Sequence, residues 1–259
     1  MDIQSILESL ETGKISAKNA KKLLSLYSIE EIGKIAKIDI NRQKRRGIPE
    51  VIFAENKEID ETKKIIKKTL EKTDVLVVSR INKKDYQKIL SFVKKLKIKI
   101  KTGKKSSTLL LFKKPIKVHG GSVGILTAGT SDIGVAEEAR LMCEAMNCKC
   151  IVSYDVGVAG IQRIFPILKE MIENEVDSVI VVAGMEAALA TLVASLVDIP
   201  VIGVPTSVGY GYGEKGIGAL ASMLQSCALG LSVVNIDNGI GAGAMAANIA
   251  NRSLYKTKK

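Results

Sequence analysis

From residue 122 onward, five short Val/Ile-rich runs alternate with helix-length stretches. This alternation constrains the fold more than any other feature of the 259-residue chain. The runs are SVGILTA (122–128), CKCIVSY (148–154), DSVIVVAG (177–184), PVIGVP (200–205) and LSVVNID (231–237). The stretches 132–146, 159–174, 185–197, 214–229 and 240–250 read as helices. Strands that are apolar on both faces need helices on both sides. The pattern therefore predicts an α/β fold, a parallel, doubly wound three-layer sandwich. Such sheets bind ligands at the carboxyl ends of their strands, which singles out the loops to inspect.

The first half reads differently. Residues 3–11, 16–27 and 29–37 predict short amphipathic helices, with Ser16 placed to cap the second. Gly47 and Pro49 break the next helix, and Glu50–Ala54 predicts a strand. A helix over 59–72, a strand over 74–80, a helix over 82–96 and a strand over 107–112 complete a smaller α/β unit.

Composition steps between the halves. Residues 1–120 carry 30 Lys and Arg against 14 Asp and Glu, whereas residues 121–259 carry 9 against 13. The second part also holds 17 of the 22 Gly and all four Cys. A boundary near Pro115–Gly121 follows, giving a basic domain at 1–118 and a second domain at 119–259. The lysines lie along amphipathic helices with few aromatics beside them, and no nucleic-acid motif accompanies them. A solvated Lys-rich face is expected rather than a specific nucleic-acid surface. No apolar run reaches membrane-spanning length, and the first residues lack the pattern of a secretory leader, so a cytoplasmic chain with reduced thiols is expected. Cys143, Cys148 and Cys150 lack a second ligand pair at zinc spacing.

The carboxyl-end loops are rich in small and acidic residues. Thr127-Ala128-Gly129-Thr130-Ser131-Asp132 opens a helix. It reads either as an anion cradle or as a capped strand–helix turn. Asp155 follows the second strand, and Arg163 lies one turn further, where it could pair with a phosphate or carboxylate. Gly184 and Glu186 follow the third strand. The long segment 205–216, with Gly209 and Tyr210, follows the fourth. Asn235 and Asp237 close the fifth. Cys227 falls near the end of the predicted helix 214–229, capped by Gly230, where a thiol is ordinarily a small core residue. His119 is the only histidine, and it sits at the domain junction. Asp132, Asp155, Glu186 and Asp237 therefore remain as acid–base candidates.

These segments resemble a known group of proteins. The strand–TAGTSD–helix start, the Ala-Gly of 183–184 and PVIGVP resemble the PurE-type aminoimidazole ribonucleotide carboxylase/mutase family. TAGTSDIGVAEEA (127–139), YDVGVAGI (154–161), AGMEAAL (183–189), PTSVGYG (205–211), SCALG (226–230) and VVNIDNGIGAGAMA (233–246) together resemble its relatives, the LarB family of nickel-pincer cofactor biosynthesis. Asp39, Arg42, Arg45, Gly47, Pro49 and Glu50–Ile52 extend the likeness into the first half. The resemblance implies a flavodoxin-like, PurE-like sandwich, commonly octameric. It also implies pyridinium-3,5-biscarboxylic acid mononucleotide synthase activity. The substrate would be nicotinic acid adenine dinucleotide, carboxylated at C5 of the pyridinium ring by CO2 or bicarbonate and hydrolysed at the phosphoanhydride to release AMP. Mg2+ would assist, without biotin or ATP.

Under that resemblance Cys227 is the nucleophile candidate. A thiolate adding beside C5 makes an enamine whose β-carbon is C5. That carbon can attack CO2, lose its proton and expel the thiol. Glu186 and Asp132 are then candidates for base, thiol partner or metal ligand. Gly129, Thr130 and Ser131 would hold a phosphate. Asp155, Arg163, Gly184, Gly209, Tyr210, Asn235 and Asp237 would line the substrate, and Arg42 and Arg45 would add positive charge. Two positions depart from the family pattern. Gln162 stands where His is expected, and Leu229 stands where Pro is expected. The Ser-Ala-His-Arg and Ala-Ala-His segments of the PurE-type carboxylases are absent, which ranks that activity second. A nucleotide- or RNA-binding protein without catalysis ranks third. The small-residue helix 240–250 is a candidate surface for another subunit.

Overall fold

The computed structural model describes residues 3–24, 30–32, 36–38 and 42–257. It opens with two helices, α1 (Ile3–Glu11) and α2 (Ala17–Leu24). The Ser16 hydroxyl accepts the Asn19 N–H at 3.2 Å, so the predicted cap is present. Residues 25–27 of that predicted helix lie outside the described residues. The helix predicted over 29–37 is replaced by an antiparallel pair, β1 (Glu30–Ile32) and β2 (Ala36–Ile38). Ile29, Ile32, Ile35 and Ile38 recur at helical spacing, but isoleucine favours extended backbone and Gly33 interrupts a helix.

A short helix α3 (Arg42–Arg46) ends at Gly47, whose φ of +71° suits glycine. It leads into β3 (Glu50–Phe53), α4 (Ile59–Lys72), β4 (Val75–Ser79), α5 (Lys83–Lys95), β5 (Lys99–Thr102) and β6 (Leu109–Phe112). The four strands from β3 form a sheet in the order β3-β4-β6-β5, parallel at β3–β4 and antiparallel elsewhere. The sequence pattern does not announce β5. It is an edge strand whose alternating lysines face solvent, a common way of keeping an edge from pairing with other chains.

The second half builds β7 (Ser122–Thr127), α6 (Ile133–Ala145), β8 (Lys149–Ser153), α7 (Ile164–Glu173), β9 (Ser178–Ala183) and α8 (Ala188–Leu196). Then come β10 (Val201–Pro205), α9 (Ile217–Leu224), β11 (Leu231–Val233) and α10 (Gly239–Thr257). All neighbours in the sheet β11-β10-β9-β7-β8 pair in parallel, which is the flavodoxin-like order. In that order the switch point lies between β7 and β9.

Three helices differ from the sequence reading. The stretch 159–174 splits into a 3-10 segment, Val158–Arg163, and α7. The stretch 185–197 begins three residues late, because Met185 and Ala187 adopt left-handed backbone (φ 55° and 53°). The stretch 214–229 shrinks to α9, entered through Gly216 at φ 81° and closed at Gln225. Cys227 therefore lies outside the helix. Gly230 does not cap α9, and its φ of +92° serves the entry to β11.

α6 and α10 cover one face of the parallel sheet, and α7, α8 and α9 the other. α10 packs on α6 of its own chain. A Cβ on Gly239 would stand 2.4 Å from the Val135 carbonyl, and one on Gly243 would stand 2.6 Å from that of Ala139. The small residues of 240–250 thus serve a close internal contact with α6. The far side of α6 meets the first sheet. Val77, Leu110 and Phe112 share a cluster with Ala136, Leu141 and Met142. Fully burying such side chains is worth roughly 1.5–3 kcal/mol each, so the two sheets are held on one shared core. Among the described residues no helix is long and apolar enough to cross a membrane.

Candidate active site

The carboxyl ends of β7, β10 and β11 converge on Asp132. Its carboxylate accepts the Thr206 hydroxyl at 2.7 Å and the Gly129 N–H at 2.9 Å. Asp132 is thus no conventional N-cap for α6, because its side chain turns toward the Gly129 loop and the next strand but one. Burial raises its pKa. The Thr206 and Gly129 hydrogen bonds partly offset this, and the negative charge of Asp237 adds to it. Asp237, in left-handed backbone at φ 55°, accepts the Ser207 N–H on Oδ1 at 2.9 Å. Asn235 stands beside it, its side-chain oxygen accepting the Ile236 N–H at 2.9 Å. Thr130 and Ser131 are exposed on the loop between Gly129 and Asp132.

A second group forms at the end of β9. Gly184 is buried, and a Cβ there would stand 2.2 Å from the Val208 carbonyl. The Met185 N–H donates to that carbonyl at 3.0 Å, so loop 184–187 is locked to loop 206–209. Glu186 is exposed in the locked turn, and a Cβ on Gly209 would lie 3.9 Å from the Met185 nitrogen. Tyr210 is 79% exposed beyond it. After β8, Arg163 pairs with Asp155 at 3.3 Å, and the Asp155 N–H donates to the Thr127 hydroxyl at 3.0 Å. These loops share the switch-point end of the sheet, the place the strand pattern predicts.

Three predicted residues are placed elsewhere. Arg42 pairs with Glu50 at 3.8 Å, at the amino end of β3, and Arg45 shares its short helix. The carboxyl ends of β3 and β4, at Phe53 and Arg80, are the ends that face the site. Asp39, of the same motif, lies outside the described residues. Cys227 is exposed, on the connection from α9 to β11. That connection is anchored by Ser226 to Thr191 of α8 at 2.9 Å, and by the Gly230 carbonyl to the Val201 N–H at the amino end of β10. One chain therefore carries the thiol on the outer helical layer and the carboxylates at the carboxyl ends of the strands. Cys143 and Cys148 are buried, and burial first, then the neighbouring sulfur of Cys150, pushes the Cys148 thiol up to about 12.

Sequence reasoning missed the polar groups that the first half adds. Ser79 donates to Glu138 of α6, and Thr108 donates to Ser79 at 3.3 Å. Arg80 donates to the Asp237 carbonyl at 3.3 Å, and Lys105 to the Thr130 carbonyl at 3.1 Å. Glu137 receives Arg140, Tyr154 and the Lys104 N–H. The signal was a Ser-Arg pair ending the otherwise apolar run DVLVVSR. Among the described residues no three His, Cys, Asp or Glu side chains converge as a metal cage, and both Asp132 oxygens are engaged.

Residues 122–259 match the AIR carboxylase family, and residues 29–108 match the LarB/PurE-like N-terminal domain. Over 253 residues the chain is 48% identical to an uncharacterised protein of Methanocaldococcus jannaschii, covering 96% of this chain and 97% of that one. It is 30% identical over 132 residues to the N5-carboxyaminoimidazole ribonucleotide mutase of Thermotoga maritima, covering 49% of this chain and 73% of the mutase. The mutase of M. jannaschii is 32% identical over 127 residues, covering 48% and 76%.

Proposed function

The chain belongs to the AIR carboxylase family, with a LarB/PurE-like N-terminal domain ahead of the carboxylase domain, and on that footing we propose that it carboxylates the pyridinium ring of nicotinic acid adenine dinucleotide. The family suggests carboxylase- or mutase-type chemistry. The observation that carries the finer reading is Cys227, the only exposed thiol of the four, within the segment Ser226–Gly230. The N-terminal match at 29–108 supports it further, because the mutase alignments span only about half of this chain.

The thiolate of Cys227 adds to the ring carbon beside C5, and the ring electrons move to give an enamine. C5 forms a bond to the carbon of CO2. C5 then loses its proton, the C–S bond breaks, the ring regains aromaticity and the thiolate is restored. Water cleaves the phosphoanhydride and AMP leaves. Asp132, whose pKa is raised by burial, and the exposed Glu186 are the carboxylates offered to the departing proton. The amide-rich turn at Gly129–Ser131 faces a phosphate, and Arg163 a carboxylate or phosphate.

Because thiol and carboxylates occupy separate places in one chain, we propose that a second copy brings its own Cys227 to these loops. Exposed apolar side chains favour such contact. Leu224 and Leu229 flank the thiol segment, and Phe165, Ile172 and Leu196 line a shallow groove of about 430 Å³ between α7 and α8.

Chromatography of AMP released from nicotinic acid adenine dinucleotide, run beside conversion of N5-carboxyaminoimidazole ribonucleotide, tests the reading. AMP release in the first tube alone is expected. Conversion only in the second moves the chain to the mutase activity.

A further inference from the structure

The N-terminal half reaches the carboxyl-end loops through a continuous line of hydrogen bonds. Arg80 stands just past the end of β4. Its guanidinium lies 5.7 Å from the Phe53 ring centroid and pairs with Glu55 at 3.2 Å. From there Nη2 donates to the Asp237 carbonyl at 3.3 Å. Asp237 is a junction. Its N–H donates to the Pro205 carbonyl at 2.9 Å, and its carboxylate takes the Ser207 N–H at 2.9 Å. The neighbouring Thr206 hydroxyl holds Asp132 at 2.7 Å, and Asp132 holds the Gly129 N–H at 2.9 Å. A second tether closes the far side. Lys105 donates to the Thr130 carbonyl at 3.1 Å, and its own carbonyl lies against Gly134.

Asp237 sits in left-handed backbone, which is strained for a non-glycine residue and persists only where the surroundings hold it. Three partners hold it here, and one of them comes from the other half of the chain. Arg80 suits the task because its planar fork holds donors to a carboxylate and a carbonyl in one fixed geometry, whereas a lysine ammonium is a flexible point charge.

We propose that Arg80 is a positioning residue: through Asp237 it sets loop 205–208 and the Asp132–Gly129 contact, so the N-terminal domain acts as a brace for the catalytic loops. For its activity arm the proposal rests on the carboxylase reading above. Its structural arm does not.

The test compares the full chain with Arg80→Ala, Arg80→Lys and Glu55→Gln. Hydrogen exchange at the Ser207 and Gly129 amides is the first readout. Arg80→Ala is expected to speed both by about tenfold or more while the melting temperature holds, because Arg80 is partly exposed. Turnover of nicotinic acid adenine dinucleotide is the second. A fall in kcat of about ten- to a hundredfold with KM within about threefold is expected, since small misplacement of reacting groups costs that much. Arg80→Lys should recover part of both effects, and Glu55→Gln should show a smaller change in the same direction. Unchanged exchange at both amides overturns the proposal. So does a rise in KM with kcat intact, which would make Arg80 a substrate ligand. If the unaltered chain turns over no dinucleotide, the carboxylase reading fails, and the exchange data still decide the role of Arg80.

Discussion

Glu137 and Glu138 are neighbours on α6, both buried between the two sheets, and their surroundings drive their carboxyl groups in opposite directions. Burial pushes Glu137 up, but Arg140, Tyr154 and the Lys104 N–H outweigh it and hold the group below its ordinary value. Burial pushes Glu138 up to about 7, and the Ser79 hydrogen bond and the Arg80 charge offset only part of that. The difference is one of partners. Four donor groups serve Glu137, whereas Ser79 supplies the one hydrogen bond described to Glu138.

The pH dependence of stability follows from this contrast. The folded chain keeps the Glu138 proton to about 7, while an ordinary glutamate releases it near 4.5. The stabilising contribution of that proton is complete below about 4.5 and is lost as pH rises through 7. Glu138→Gln stays neutral throughout. It should be more stable than the unaltered chain by ~3 kcal/mol above pH 7, with the advantage vanishing toward pH 4.5. Urea melts at several pH values check this, and an advantage independent of pH would contradict it.

Removing a partner of Glu137 should be costly. Its side chain is 4% exposed and that of Arg140 is 20% exposed. Arg140→Ala leaves a buried carboxylate with two hydrogen bonds but no counter-charge, and a loss of about 3 kcal/mol is expected in equilibrium unfolding. Tyr154→Phe removes one hydrogen bond of the four groups and should cost about 1 kcal/mol.

How far the sequence foretold this arrangement depends on what fixes each part. The five strands were legible because each is an apolar run bounded by turn residues, and the parallel order follows from the helices between them. Asp132, Gly129 and Asp237 were legible because they end such runs. Glu138 was not, because on an apolar helix it reads as a solvated charge, and its partner Ser79 lies 59 residues away. The helix around Cys227 was overextended because apolar residues continue past Leu224 while the backbone turns at Gln225. β1 and β2 were missed because isoleucines spaced by three mimic a helical face.

Labelling should single out one thiol. Cys227 is exposed, while Cys143 and Cys148 are buried in the shared core. Brief treatment with iodoacetamide should modify Cys227 first, as peptide mass spectrometry will show. Cys227→Ser should change stability by less than about 0.5 kcal/mol, since it is an exposed site. Modification of Cys143 ahead of Cys227 would contradict the placement.

Gly184 offers a steric test of the locked loops. A methyl group there would meet the Val208 carbonyl at 2.2 Å, so Gly184→Ala must displace loop 206–209 or loop 184–187. A fall in turnover of about tenfold or more is expected, with a loss of about 1–3 kcal/mol in stability. Kinetics and a thermal melt on the same preparation check both.

Mixing experiments test the shared site. Cys227→Ala and Glu186→Gln chains, each inactive alone, should recover part of the activity when unfolded together and refolded as hybrids. No recovery in proven hybrids would place thiol and carboxylate in one chain.

The most direct measurement is mass spectrometry of products formed from nicotinic acid adenine dinucleotide and 13C-labelled bicarbonate by the unaltered chain and by Cys227→Ala. The account predicts a labelled dicarboxylated mononucleotide and AMP from the first and no labelled product from the second. Labelled product formed equally well without the thiol would contradict the mechanism, and no labelled product from the unaltered chain would contradict the activity.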